Sequence, residues 1–444
     1  MAALSAVLAR VLVDEHTGRN LVFSPLSIYA GLALVAAGAR GATLDEFLRV
    51  LGALSRGELE EFLPRAAALM RDRSGGGGPR VAWACGVWSG RSSCRLKPGF
   101  VEAVVCATKA AEGFRGDVDG ACRRINAWAV RVTRGLIDNV VTPEVVRPDT
   151  RVVVGNAVYF KGKWAQPFDK KLTADWPFRL AGTGKVVVVE VPFMQSREQQ
   201  YIAVHRGFKV LKLPYKMADR SSFFPPFDFT IAGAAPLSLD DDGFHSDCPP
   251  EDCDKHSDHR VKLSPSTAAP SFNSNKRGRA NSPRPAVAPY SSNNKKNKHG
   301  GSYDLTQFSM CIFLPDADDM ASATSFDVDE FRVPRFKLSF DESLNAALHR
   351  LGLVLPFSES ADLSDMALPP DVYMGLPMVL HRIIHKAVVE GNEEGTEAPA
   401  VTTCIVGIGC GVDFVADHPS AYFIVEEETG AVVFAGHVLD PSRE

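Results

Sequence analysis

The stretch from Glu390 to Val412 constrains this chain more than any other. It opens as an acidic, glycine-interrupted segment and becomes a run of small and β-branched residues, 398–406, with no charged side chain after Glu397. Such a composition favours a strand. Gly407, Gly409 and Gly411 leave the last third pliable and give it little surface to pack with. A strand-competent segment on a flexible tether suits exposure first and absorption into a sheet later. The rest of the chain must then supply a sheet that can take one more strand.

Enough apolar material is present for such a sheet. The 444 residues are 45% hydrophobic and 23% charged, which suits one large mixed α/β domain with an insertion as well as two or three smaller domains. A formal net charge of −4 gives no reason to expect nucleic acid as a partner. No stretch reads as membrane-spanning. Arg10, Asp14 and Glu15 interrupt the first twenty residues, which makes them an amphipathic helix and not a secretory signal. A cytoplasmic location is expected, with release to the apoplast as the alternative. Nine cysteines, an odd count without a repeating spacing, point to free, buried thiols in a reducing compartment.

Along the chain, Ser24 is a good N-cap and Pro25 fits the first helical position of an apolar helix running to about Ala39. That helix is apolar nearly all round and should be buried. Thr43-Leu44-Asp45-Glu46 has the spacing of a capping box, with Gly52 ending its helix. The glycine-rich stretch from Arg73 to Pro79 reads as a surface turn and linker; no Lys-Ser/Thr follows it, which argues against a phosphate site. Val81 to Trp88 alternates like a strand, and Ile125, Trp128, Ala129 and Val132 mark a helix ending near Gly135. Strands follow over Arg151–Phe160, Val186–Val191, Phe208–Tyr215 and Phe308–Leu314. Val333–Leu338 reads as one more strand, and a helix runs from about Glu342 to Gly352. His381–Glu390 is a strand, and Tyr422–Val425 with Val432–Gly436 form a hairpin turning at Thr429-Gly430.

Residues 218–304 differ abruptly, being rich in Ser, Pro, Asn, Asp, Lys and Arg. So little apolar material does not offset the entropy of ordering, so this insertion is expected to be disordered. A genuine insertion and translated non-coding sequence both fit. His245, Cys248, Cys253, His256 and His259 are metal-ligand types, but their spacing leaves no helix or knuckle between pairs, and no metal site is expected. Its basic clusters read as solvated charge runs.

Four stretches carry a family resemblance. They are Asn392-Glu393-Glu394-Gly395-Thr396-Glu397-Ala398, the run from Asn156-Ala157-Val158-Tyr159-Phe160-Lys161 to Trp164, Pro334-Arg335-Phe336-Lys337, and Asp413-Phe414-Val415-Ala416-Asp417-His418-Pro419. Together they resemble the serpin family, the last being similar to the ending of plant Z-type members. The resemblance implies an α+β fold spanning residues 1–444 as a single domain, with three β-sheets, a large mixed central one among them, and eight to nine surrounding helices. It makes 390–412 the hinge and exposed reactive-centre loop, with Glu393, Glu394, Gly395, Thr396, Glu397, Ala398, Pro399 and Ala400 as the hinge. It also implies that Ser24, Ser27, Asn156 and His385 form the "shutter" where the sheet opens. Read without it, the two serines are caps and satisfied core hydroxyls, and His385 is a core histidine.

The implied activity is suicide inhibition of a serine or cysteine protease by insertion of the cleaved loop. The protein would then be a monomer and not an enzyme, with no cofactor, metal, nucleic acid or membrane involved. No nucleophile elbow, metal triad or phosphate loop suggests catalysis. Three departures favour the alternative of a non-inhibitory binding or storage protein. Pro399 stands where inhibitory members carry a small residue, Gly391 replaces the usual Val before the hinge, and the loop is short by several residues on its far side. Counting from the hinge puts the reactive bond at Gly409–Cys410; counting back from Pro419 gives Ile408–Gly409. Neither offers the Arg or Lys that a trypsin-like protease needs.

Overall fold

The computed structural model describes residues 2–89, 97, 100, 117–144, 146, 150–180, 187–196, 198, 200–218, 306–316, 330–366, 378–393 and 413–443, all within one compact unit. Among them six α-helices occur: α1 (Ala2–Glu15), α2 (Pro25–Ala36), α3 (Gly41–Leu51), α4 (Arg56–Leu69), α5 (Val118–Val132) and α6 (Asn345–Arg350). The strands are β1 (Leu21–Phe23), β2 (Arg80–Ser89), β3 (Val152–Lys161), β4 (Ala174–Leu180), β5 (Val187–Gln195), β6 (Tyr201–His205) and β7 (Phe208–Pro214). After residues 219–305 come β8 (Phe308–Pro315), β9 (Phe331–Pro334), β10 (Phe336–Ser343), β11 (Leu380–Gly391), β12 (Phe414–Val415), β13 (Ser420–Glu426) and β14 (Val432–Val438).

They build three sheets, ordered β1-β14-β13-β8-β7-β6, β10-β11-β3-β2 and β12-β9-β5-β4. The first is antiparallel throughout. In the second, β11 and β3 run parallel between two antiparallel neighbours. The period-2 pattern splits that sheet's side chains into two cores. Val152, Val154, Val158 and Phe160 join Ile383, Ala387 and Val389 in the main core, and α2 is buried there along its whole length. On the opposite face Val153, Ala157 and Ile384 meet Ile125, Trp128 and Ala129 of α5. That tryptophan stripe is core packing, as its spacing predicts.

Ser24 caps α2 as expected, its side chain accepting from the Ser27 amide, and Pro25 occupies the first turn. Four local readings fail where tertiary partners outcompete local ones. The capping box at Thr43 does not form, because α3 already starts at Gly41. Thr43 Oγ1 instead accepts the Asp362 amide at 2.9 Å, and Glu46 Oε2 accepts the amides of Val354 and Leu355, each at 2.8 Å. Val333–Leu338 is two strands in two sheets, because the chain changes sheet at Arg335, whose amide bonds the Pro192 carbonyl at 2.9 Å. Glu342 and Ser343 extend β10 by pairing with His385 and Ile384, so the next helix starts only at Asn345. The glycine-rich stretch is an ordered turn around a buried Arg73, not a linker. The Arg73 guanidinium donates to the carbonyls of Ala68, Leu69 and Arg71, closing the end of α4.

Candidate functional site

β11 meets β3 in the register Leu380↔Val152 to Val389↔Phe160, with His385 directly opposite Asn156. A strand that followed β11 through a tight turn would run antiparallel to it. Placed between β11 and β3, it would be antiparallel to both and remove the one parallel pairing.

Under the middle of the seam the structure brings Ser24, Ser27, Asn156 and His385 together, all fully buried. Asn156 Nδ2 donates to Ser27 Oγ at 3.2 Å, Ser27 Oγ donates to the Ser24 carbonyl at 3.2 Å, and the Ser24 amide donates to His385 Nε2 at 3.0 Å. Because Nε2 accepts, the ring proton of neutral His385 must lie on Nδ1. Burial pushes the His385 pKa down to about 3, with the backbone of Asn156 opposing weakly. Nδ1 itself has no well-oriented partner among the described residues. A neutral histidine locked in this way holds strands together and is not poised for proton transfer. Trp83 of β2 adds a bond that sequence reasoning missed, Nε1 to Asn156 Oδ1 at 3.3 Å.

At the seam's end Glu390, Asn392 and Glu393, which open the expected hinge, are held firmly. Glu390 pairs with Lys161 at 3.2 Å and accepts from Asn392 Nδ2 at 2.7 Å. The Asn392 carbonyl accepts from Trp164 Nε1 at 2.7 Å. Glu393 is only 5% exposed; one carboxylate oxygen accepts from Thr173 Oγ1 at 2.8 Å and the other faces Arg335 Nε at 3.3 Å. Arg335 lies within one of the four stretches that carry the family resemblance and Thr173 in none, and no local pattern assigns either to Glu393. Gly391 stays within β11 opposite Phe336. A Cβ on it would lie 3.0 Å from Phe336 Cζ, so the ring occupies the space a valine would need. Glu394, Gly395, Thr396, Glu397, Ala398, Pro399, Ala400, Ile408, Gly409 and Cys410 lie outside the described residues, as do His245, Cys248, Cys253, His256 and His259.

Beyond the loop, Phe414 is buried and β12 pairs in parallel with β9. Asp417 accepts from Arg179 Nη2 at 3.0 and 3.2 Å and contacts His418 Nδ1 at 2.8 Å. Burial pushes the Asp417 carboxyl up, but its bonds to His418 and Arg179 outweigh that and hold it below the ordinary carboxylate value. The described chain thus leaves one sheet at buried Glu393 and joins another at buried Phe414, beside the half-buried ion pair of Asp417 and Arg179. Among the described residues no cluster of three or more His, Cys, Asp or Glu could hold a metal, and no helix is long and apolar enough to cross a membrane.

A three-sheet α+β protein with a closed parallel seam, and with the loop that could fill it tied at both ends, is the class this geometry defines. The chain matches the family model described as Serpin (serine protease inhibitor) over residues 1–226 and 302–441. It belongs to the serpin family. It is 41% identical over 480 aligned residues to a protein of Oryza sativa subsp. japonica described as serpin-Z8, covering 100% of this chain and 96% of the relative. Serpin-Z2A of the same rice is 39% identical, with 100% and 97% covered. Arabidopsis AtSerpin1, solved in its native stressed conformation, superposes with a TM-score of 0.72 at 28% identity, covering 100% of this chain and 97% of that one. Its similarity within the family is thus to plant Z-type serpins.

Proposed function

We propose that this serpin inhibits serine or cysteine proteases by suicide insertion of its loop, at low efficiency. The supporting observation is the closed β3–β11 seam, a parallel pair that an antiparallel third strand would complete. A target protease attacks the carbonyl of Gly409, or alternatively of Ile408, forming an acyl-enzyme ester and releasing the amine of the next residue. The hinge then enters the seam and carries the protease along. Residues 394–409 reach about 53 Å when extended, against about 40 Å for the 12 residues of β11. Length on the hinge side therefore suffices.

Pro399 is the weak point. It has no N–H to give the ladder, and a carbonyl left unpaired costs about 1 to 3 kcal/mol. Slow insertion lets deacylation win, and the loop is merely cut. The same proline and the short far side of the loop favour the second reading, a non-inhibitory binding or storage protein. The partner is a protease that accepts small apolar residues, and the protein acts as a monomer, apart from nucleic acid and membrane, in the cytoplasm or after release to the apoplast. Incubation with an elastase-type protease tests this directly. Cleavage near 408–410 should be accompanied by a minor band of covalent complex on a denaturing gel. Complete turnover with no complex would leave only the non-inhibitory reading; near-unit stoichiometry of trapping would remove it.

A further inference from the structure

The solvent side of α5 is strongly basic. Ala121, Cys122, Ile125, Trp128 and Ala129 pack inward against the sheet, which leaves Arg123, Arg124, Ala127, Val130, Arg131 and Arg134 exposed. At 3.6 residues per turn these six fall within an arc of about 120°. They form one stripe of two arginines, an apolar gap and two more arginines. No acidic residue occurs from Gly120 to Ile137, and the acids lie at the ends, at Asp117, Asp119 and Asp138. Asp117 meets Arg124 at 3.4 Å and Asp72 meets Arg134 at 3.2 Å, yet the two arginine side chains stay 51% and 72% exposed. Both carboxylates are already engaged by backbone amides, Asp117 by Gly120 at 2.7 Å and Asp72 by Ser74 at 3.1 Å. Among the described residues no carboxylate pairs with Arg123 or Arg131. The helix dipole favours cations in the last turn, which accounts for Arg131, but it gives Arg123 and Arg124 nothing near the start. Arg134 holds a φ of 53°, a left-handed position that suits glycine at a helix end. An arginine there adds charge and not a better end.

We propose that this arginine stripe is a docking surface for an extended acidic segment of a partner protein, one with apolar side chains between its carboxylates. Arginine pairs with carboxylates through two parallel N–H bonds, which gives the pairing direction as well as charge. Arg124 and Arg131 are separated along the helix by a rise of about 10 Å. An extended chain covers that distance in three residues. Acidic residues at i and i+3 therefore reach both ends of the stripe, while the residues between them lie on Ala127 and on Val130, which is 38% exposed. A uniform polyanion such as polyphosphate would set charge against that apolar gap. Single-stranded nucleic acid binds on exposed aromatic rings, and the stripe has none. Because the stripe faces away from the sheet, the inference does not depend on strand insertion.

The dye-labelled peptide Asp-Glu-Leu-Val-Asp-Glu, titrated against the full chain at low ionic strength and followed by fluorescence anisotropy, tests this. The full chain should bind it, and added salt should weaken the binding. Arg124→Gln combined with Arg131→Gln should weaken it at least about tenfold. Arg134→Gly should weaken it about threefold while leaving the melting temperature no lower, since glycine suits the left-handed position. A peptide with Ser-Gly in place of Leu-Val should bind more weakly than the parent peptide. No binding by the full chain overturns the proposal, and so does binding that the paired glutamines or the glycine leave unchanged. Polyphosphate or the Ser-Gly peptide binding as tightly as the Leu-Val peptide overturns it as well, because the stripe would then take any polyanion.

Discussion

His385 links protonation to the closed sheet. Its ring is fully buried and accepts the Ser24 amide, and burial pushes its pKa to about 3 against 6.5 for an ordinary histidine. Between those values the unfolded chain binds a proton that the folded chain excludes, so stability falls as pH drops from about 6.5 toward about 3. The full loss is on the order of 5 kcal/mol at 1.36 kcal/mol per pKa unit. Burial also lowers His437, which adds in the same direction. Asp417, held below its ordinary value, gives up stability only at lower pH. Melting temperature should therefore fall steadily from about pH 6.5 to 4.5, and His385→Gln should flatten that slope. An unchanged slope would assign the proton elsewhere. Asn156 sits inside a stretch that carries the family resemblance, whereas Ser24, Ser27 and His385 were placed beside it only by what that resemblance implies. Trp83 was not, because a tryptophan on an alternating strand carries no mark of an asparagine 73 residues away.

At the scale of elements, the pattern of buried faces located the longer strands and α5, but the 14-residue α4 and the strands β1, β4, β6 and β12 were not read from it. It failed where a side chain or turn was claimed by a distant element, as with Glu46 capping the chain at Val354 and Leu355. Likewise, Val333–Leu338 has the composition of one strand; only its two separate partners, β5 for β9 and β11 for β10, reveal the break. The antiparallel zipper of β7 and β8, from Phe208↔Pro315 to Pro214↔Ser309, brings together the ends of the chain on either side of the 219–305 connection. A cut within that connection would break no pairing of this zipper. Limited proteolysis should cleave there first, leaving two fragments that co-elute and melt as one unit. Fragments that separate without denaturant would show that the connection is needed to hold the unit together.

For the whole molecule, the proposed mechanism makes inhibition depend on the competition between strand insertion and loss of the acyl-enzyme. The closed seam must give up its direct β3–β11 pairing, the shutter bonds of Asn156 and His385 must rearrange, and the new strand must then pair on both sides. Thr396, Ala398 and Ala400, spaced by two, suit the inward face of that strand, where small side chains pass between close neighbours. Pro399 would face outward, so its harm lies in the missing N–H and fixed φ and not in bulk. Because β3 and β11 pair directly with each other, replacing Pro399 should leave the uncleaved protein's melting temperature nearly unchanged. Restoring one ladder bond is worth about 1 kcal/mol, or roughly fivefold if it is fully expressed in the insertion rate. Pro399→Ala should accordingly raise the fraction of protease trapped as covalent complex and enlarge the rise in melting temperature that follows cleavage. If complex formation and that rise both stay as in the parent, the limit lies on the far side of the loop, where the chain to Asp413 is short. Lengthening that side by a few residues should then restore trapping where the proline substitution does not.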